Sequence, residues 1–342
     1  MLQASSGRRP SRTPRFSWNP AWALALALAL ACGSPEPPKA PPPVVEAFPS
    51  PPPQNTLASA PVPPILLQGV GFSSPDGALY DPTADVYLVS NVAGSPADSD
   101  NNGFISKVGP DGTLAELRWI DGPRSGAPLN APKGMALVGS TLFVADIDTL
   151  RAYDRETGKS LGDVVIPGAT FLSDVAAGAG GTLYVTDSGL GKQAGTRTLG
   201  KTGSDAVYRV DAQRAVTALA KGENLAQPSG LCVTQGRLLI TGLGGDVYAL
   251  DRQGQQAPLG KAPGALGGMV LTPGGRLLIS ASSAGTVFIA KGPVGSNVVL
   301  EPLITDLDSP GDLGYDPKRR QLIVPLTRAD ALYIQELPGG MN

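Results

Sequence analysis

The sequence predicts an all-β fold, a six-bladed β-propeller with four-stranded blades over residues 64–340, and three observations predict it. A unit of short strands recurs six times after residue 65. Its runs have strand length, β-branched or aromatic content, and Gly, Asp or Pro at their boundaries, the pattern of half-buried strands separated by tight turns. Of 342 residues, 44 are Gly and 34 are Pro, while 42% are hydrophobic and only 16% charged, which suits a large core with many turns.

Each unit opens on a strand introduced by Pro or Gly: SSPDGALYD from residue 73, NAPKGMALV from 130, AQPSGLCVT from 226 and DSPGDLGYD from 308. Two looser copies are FLSDVAAGA from 171 and ALGGMVLTP from 265. Aligning them places Asp76, Lys133, Asp174, Ser229, Gly267 and Gly311 at equivalent anchors. A second strand follows (DVYLVSN from 85, STLFVADI from 140, GTLYVTDS from 181, and three more), then a third (NGFISKV from 102, DTLRAYD from 148, DAVYRVD from 205, and three more). The fourth is less regular, from LAELRWI to VVLEPLI. The sixth unit ends after three strands near Leu337, and the run at 64–68 supplies the missing one. A last blade closed by the N-terminal strand seals a ring and hides its edges.

The N-terminus reads as an address. Residues 1–31 combine four arginines (Arg8, Arg9, Arg12, Arg15) with the apolar run AWALALALALA. At 11 residues the run is too short to span a bilayer, and it has the form of a secretory signal peptide. It ends in Ala29-Leu30-Ala31-Cys32, which resembles the lipobox of bacterial lipoproteins. That resemblance implies lipidation of Cys32, a membrane partner reached through the lipid, and export to the outer membrane, on its periplasmic or surface side. Residues 32–63 are Pro-rich and form no core; they serve as a semi-rigid disordered tether.

Composition excludes several chemistries. There is no histidine, so no Ser-His-Asp or Cys-His mechanism and no His-ligated metal site exists. The net charge is −2, and loss of the signal peptide removes four arginines and leaves −6. No Lys/Arg-rich run follows Arg15. A nucleic-acid partner, which needs a basic patch, is therefore not expected. Cys32 and Cys232 make no disulfide framework, and Cys232 reads as a small core residue.

In a propeller the inner strands begin, and the second strands end, at one rim. Both long insertions, 93–102 and 188–204, join second to third strands at that rim, where rigid scaffolds carry their binding sites. The inner strands bring Asp76, Lys133, Ser173, Asp174, Ser229 and Asp312 there; the second strands bring Asn91, Asp146, Asp148 and Asp187. Two readings of Asp76, Asp174 and Asp312 stand. They hold a divalent cation, calcium or magnesium sooner than zinc, since oxygen ligands suit the first two. Alternatively they line the channel as a structural network neutralised by Lys133. Asp146, Asp148 and Asp187 read first as turn caps. Asp98-Ser-Asp100-Asn-Asn102-Gly103 resembles the start of a calcium loop, but the twelfth position is Gly109 and a strand follows.

The Pro-x-Gly inner strands and the LYVTD-type second strands resemble the gluconolactonase and senescence-marker-protein family and its relatives with NHL-like repeats, over about residues 65–340. The resemblance implies one divalent metal at the channel mouth and lactone hydrolysis. The family's metal-binding Glu falls on Asp76, its Pro-Asn-Gly turn on Pro228-Ser229-Gly230, its catalytic Asp on Gly267-Gly268, and its Asn-Asp pair on Ser173-Asp174. The residue that resembles the general base is missing, and a metal-activated water needs one. The expectation is a lipid-anchored envelope propeller that binds a small molecule, glycan or protein on its loop rim, with a degraded metal site. The alternative is a divalent-metal-dependent lactone or ester hydrolase.

Overall fold

The computed structural model describes residues 62–339 apart from 197, 235, 293 and 296. The signal peptide, Cys32 and nearly all of the Pro-rich tether lie outside the described residues. Among the described residues no helix is long and apolar enough to cross a membrane.

Six four-stranded antiparallel sheets follow one another around an axis. Blade 1 is built from Pro75–Asp81, Val86–Asn91, Phe104–Val108 and Leu114–Asp121. Blades 2 to 5 repeat that order, their inner strands being Pro132–Val138, Leu172–Ala177, Pro228–Thr234 and Leu266–Leu271. Blade 6 takes Gly314–Asp316, Gln321–Leu326 and Ala331–Glu336 from the C-terminal end, and Ile65–Gln68 from the start of the domain as its outermost strand. The pairing runs from Ile65 opposite Ile334 to Gln68 opposite Ala331. The closure expected from the count of strands is therefore the one observed.

Apolar alternation along the strands fills the gaps between blades. Six buried clusters occur, one at each junction. The 6–1 junction packs Leu67, Phe72, Tyr87, Val89, Ile323 and Leu332. The largest wholly buried side chains are tyrosines of the second and third strands: Tyr87, Tyr153, Tyr208 and Tyr248. Cys232 is half-buried beside the 4–5 cluster. On the inner side the ring also closes through backbone, with Asp312 N donating to Asp76 O (2.6 Å) and Ala78 N to Asp312 O (3.2 Å).

Two features escape the sequence pattern. The insertion at 188–204 contains its own hairpin, Leu190–Lys192 paired with Leu199–Lys201. A short helix, Gly122–Ser125, follows blade 1, capped by Asp121 accepting from Arg124 N.

Candidate functional site

The site begins with an irregularity in the inner strands. In blades 1 to 5 the pairing slips after the first residue: Pro75 faces Asn91, but the next in-register pair is Ala78 with Val89, and the other four blades repeat this. The slipped residues turn their N–H groups away from the ladder, and hydroxyls of the second strand accept them. Gly77 N donates to Ser90 Oγ (2.8 Å), Asp174 N to Thr186 Oγ1 (3.0 Å) and Gly230 N to Thr241 Oγ1 (2.9 Å). Thr241 Oγ1 also donates to Gly267 O of the next blade (2.6 Å). A row of Ser and Thr therefore satisfies the bulges of blades 1, 3 and 4 and stitches neighbouring blades, as buried backbone groups require.

Register then sorts the channel-lining residues into two layers. The first residue after the pairing position is Asp76, Lys133, Ser173, Ser229, Gly267 and Gly311 in blades 1 to 6. The second is Gly77, Gly134, Asp174, Gly230, Gly268 and Asp312. This corrects the expected alignment. Asp174 is not equivalent to Asp76; Ser173 is, and Asp174 lies one layer deeper. Blade 3 lacks the Pro-x-Gly signature, so the repeat pattern slid by one residue there.

The upper layer surrounds the mouth of a cavity of about 400 Å³, lined also by Asp174 and Asp312 below and by Pro96, Phe171 and Leu190 above. The inner-strand residues expected at the site are thus brought together. Lys133 is 3% exposed. Its Nζ donates to Pro96 O and Ala131 O (3.1 Å each) and stands 4.3 Å from the centre of the Phe171 ring. Burial pulls its pKa down, and the charges of Asp76 and Asp146 oppose that pull. Burial pushes the Asp76 carboxyl up, opposed by Lys133. Among the described residues the two are not in ion-pair contact. Ser173 Oγ shares a hydrogen bond with Ser188 Oγ (2.6 Å), which in turn donates to Pro228 O (2.7 Å).

The deeper layer holds a carboxyl pair. Blades 3 and 6 face one another across a ring of six, and Asp312 hydrogen-bonds Asp174 across the axis. Asp174 also accepts from Val175 N (2.7 Å) and Leu231 N (2.8 Å). Burial pushes Asp174 up to about 7 even though those N–H groups favour the ionised form. Burial and the neighbouring Asp174 charge raise Asp312 further; two carboxyls sharing one site hold a proton between them. The glycines make room: a Cβ at Gly134 or Gly268 would overlap a carboxyl oxygen of Asp174 or Asp312. Beneath the pair lies a second cavity of about 330 Å³, mostly apolar, bordered by Tyr80, Met135, Leu231 and Met269.

The second-strand residues behave otherwise. Asn91, Asp146 and Asp187 sit at the rim but do not line the cavity, because their side chains tie down the chain entering each inner strand. Asn91 Oδ1 accepts from Ser73 N (3.1 Å). Asp146 Oδ1 accepts from Ala131 N (2.7 Å), and its Oδ2 from Arg151 Nε (2.8 Å). Asp187 accepts from Thr170, Phe171 and Gly189 N. Asp148 accepts from the Thr149 hydroxyl (2.8 Å). Asp98 of the calcium-like sequence pairs with Lys192 of the inserted hairpin, which joins the two long rim loops. Asp100 holds Asn102 Nδ2 (2.7 Å).

The donor set does not fit a divalent cation at the mouth. The upper layer supplies one carboxylate, one ammonium, two hydroxyls and two glycines. Among the described residues no three acidic or cysteine side chains gather in a way that could hold a metal. Asp174 and Asp312 are engaged with each other and with backbone N–H groups. In the 98–102 loop, the Lys192 ammonium stands on the carboxylate that a calcium ion would need. Reasoning from sequence missed Pro96, Phe171 and Leu190. Nothing in their local pattern marks them; the Ser/Thr row was missed as well, although Ser90, Thr186 and Thr241 share the penultimate place of their second strands.

No protein-family model matches the chain, and no curated protein matches it by sequence. Solved structures do match in fold. A protein assigned as a gluconolactonase shares 18% identity at a TM-score of 0.59, over 80% of this chain and 93% of its own. A luciferin-regenerating enzyme shares 13% at 0.59, over 80% and 96%. The calcium-binding protein regucalcin from Agrobacterium tumefaciens shares 13% at 0.55, over 77% and 90%. These neighbours are of the kind that the sequence motifs resemble.

Proposed function

We propose that this chain is an exported, lipid-anchored propeller that binds a small polar ligand in its channel mouth without the help of a divalent cation. The carrying observation is the upper layer, where the Asp76 carboxylate and Lys133 ammonium stand in adjacent blades over a cavity of about 400 Å³ and are not closed on one another. A mostly apolar pocket with a few convergent polar groups is the usual form of a small-molecule site. The rim insertions supply the walls, and the propeller supplies rigidity. A lipid on Cys32 and the Pro-rich stretch would carry this mouth at the membrane surface.

The second reading is a lactone or ester hydrolase. The names of the structural neighbours favour it, as does a carboxyl pair at the cavity floor with one member near neutrality. Elemental analysis of the purified protein and of Asp76→Ala, with a lactone panel, separates the readings. The binding reading expects no stoichiometric calcium, magnesium or zinc in either protein and no turnover. One metal per chain, lost in the variant and accompanied by lactone cleavage, would sink it. Mass spectrometry of the membrane fraction checks the anchor: a diacylglyceryl adduct on Cys32 is expected, and release of the protein by Cys32→Ser.

A further inference from the structure

We infer that the ligand of the mouth is a small zwitterion, a molecule of amino-acid or dipeptide type that places a carboxylate on Lys133 and an ammonium on Asp76. This rests on the binding reading above and adds the chemistry of the ligand to it. The argument starts from unused hydrogen-bonding capacity. An ammonium has three donors. Lys133 spends two on Pro96 O and Ala131 O and presents its ring-facing side to Phe171. The third N–H has no acceptor among the described residues, yet the side chain is buried. A charge-assisted bond from a ligand carboxylate fits it, being stronger than one from a neutral oxygen.

Asp76 is the complementary half. Its neighbour Lys133 is turned toward the entry loop, so the Asp76 carboxylate keeps a charge partner nearby but no ion-pair contact. A ligand with only an anion would set a second negative charge beside Asp76, and one with only a cation would crowd Lys133. A dipolar ligand lowers both costs, because buried charges are tolerated when each meets an opposite one. The rest of the layer is compatible. Ser173 and Ser229 provide hydroxyls from blades 3 and 4, and Gly267 and Gly311 line the cavity from blades 5 and 6 without a side chain of their own. The cavity of about 400 Å³ has room for a molecule of this size.

Calorimetric titration of the purified full chain in the presence of a chelator tests this, with β-alanine, L-serine and dialanine as probes and propionate and propylamine as their singly charged counterparts. At least one dipolar probe is expected to bind, about tenfold or more tighter than either counterpart. Lys133→Met and Asp76→Asn should each weaken it by about tenfold or more, with thermal melting confirming that the variants fold. Should Lys133→Met fail to fold, the nearly isosteric Asp76→Asn carries the test alone. Propionate binding as well as β-alanine, or no binding of any dipolar probe, overturns the zwitterion and leaves the cation-independent site standing. Binding that appears only when calcium replaces the chelator overturns both.

Discussion

Asp312 donates a hydrogen bond to Asp174 across the axis of the propeller, from the two blades that stand opposite one another. Gly134 and Gly268 of the same layer make room for it, since a Cβ at either would overlap one of the two carboxyls. The pair has a pH signature whose sign follows from its burial. Both carboxyls have pKa values raised above the ordinary 3.8, Asp174 to about 7. The unfolded chain therefore releases these protons first, and stability falls as pH rises from about 4 through 7. Asp312→Asn keeps a donor toward Asp174 and removes one acid. It should stabilise the protein at pH 8 by on the order of 2 kcal/mol, or roughly 4–8 °C in melting temperature, and by much less at pH 4. Equal melting shifts at both pH values would show that the pair does not share a proton.

Ring closure gives a second prediction. Leu67 is 7% exposed and packs with Tyr87 and Leu332 at the 6–1 junction. Leu67→Ala should cost about 2–3 kcal/mol, as truncation of a buried Leu does. A urea titration is the check. The midpoint should fall with an unchanged slope if the ring opens as one cooperative unit, whereas an early separate transition would mean that blade 6 comes apart alone.

A third concerns the rim. Lys192 and Asp98, both partly exposed, join the two long loops above the mouth. An exposed pair of this kind contributes under about 1 kcal/mol. Lys192→Ala should therefore leave the melting temperature within about 2 °C of the parent. Amide exchange in residues 93–102 should speed up, and ligand dissociation with it. Unchanged exchange there would mean that Lys133, which holds Pro96 O, secures the loop without help from Lys192.

The architecture was largely legible in the residues, because strand chemistry repeated six times leaves few alternatives. Even the closing strand at 64–68 could be inferred from one strand missing at the other end. The site was legible in composition but not in depth. Asp76, Lys133, Ser173, Ser229, Asp174 and Asp312 all reach the cavity, yet a slip of one residue in blade 3 hid that Asp174 sits below the anchor layer, level with Asp312. Side-chain period makes such a slip decisive in a strand. Asn91, Asp146 and Asp187 were expected among the ligand-binding residues, but whether such a side chain faces a cavity or a backbone N–H depends on the bulge beside it. The walls contributed by Pro96, Phe171 and Leu190 come from loop geometry that no periodic pattern encodes.

The outermost strand of blade 6 comes from the first described residues of the domain and the rest of that blade from the last. During synthesis, Ile65–Gln68 emerges early and has nothing to pair with until Ala331–Glu336 has been made. The ring therefore cannot finish on the ribosome before the final residues are translated, and contacts so distant in sequence form slowly. A chain with this wiring keeps both edges of the ring unpaired until blade 6 is complete.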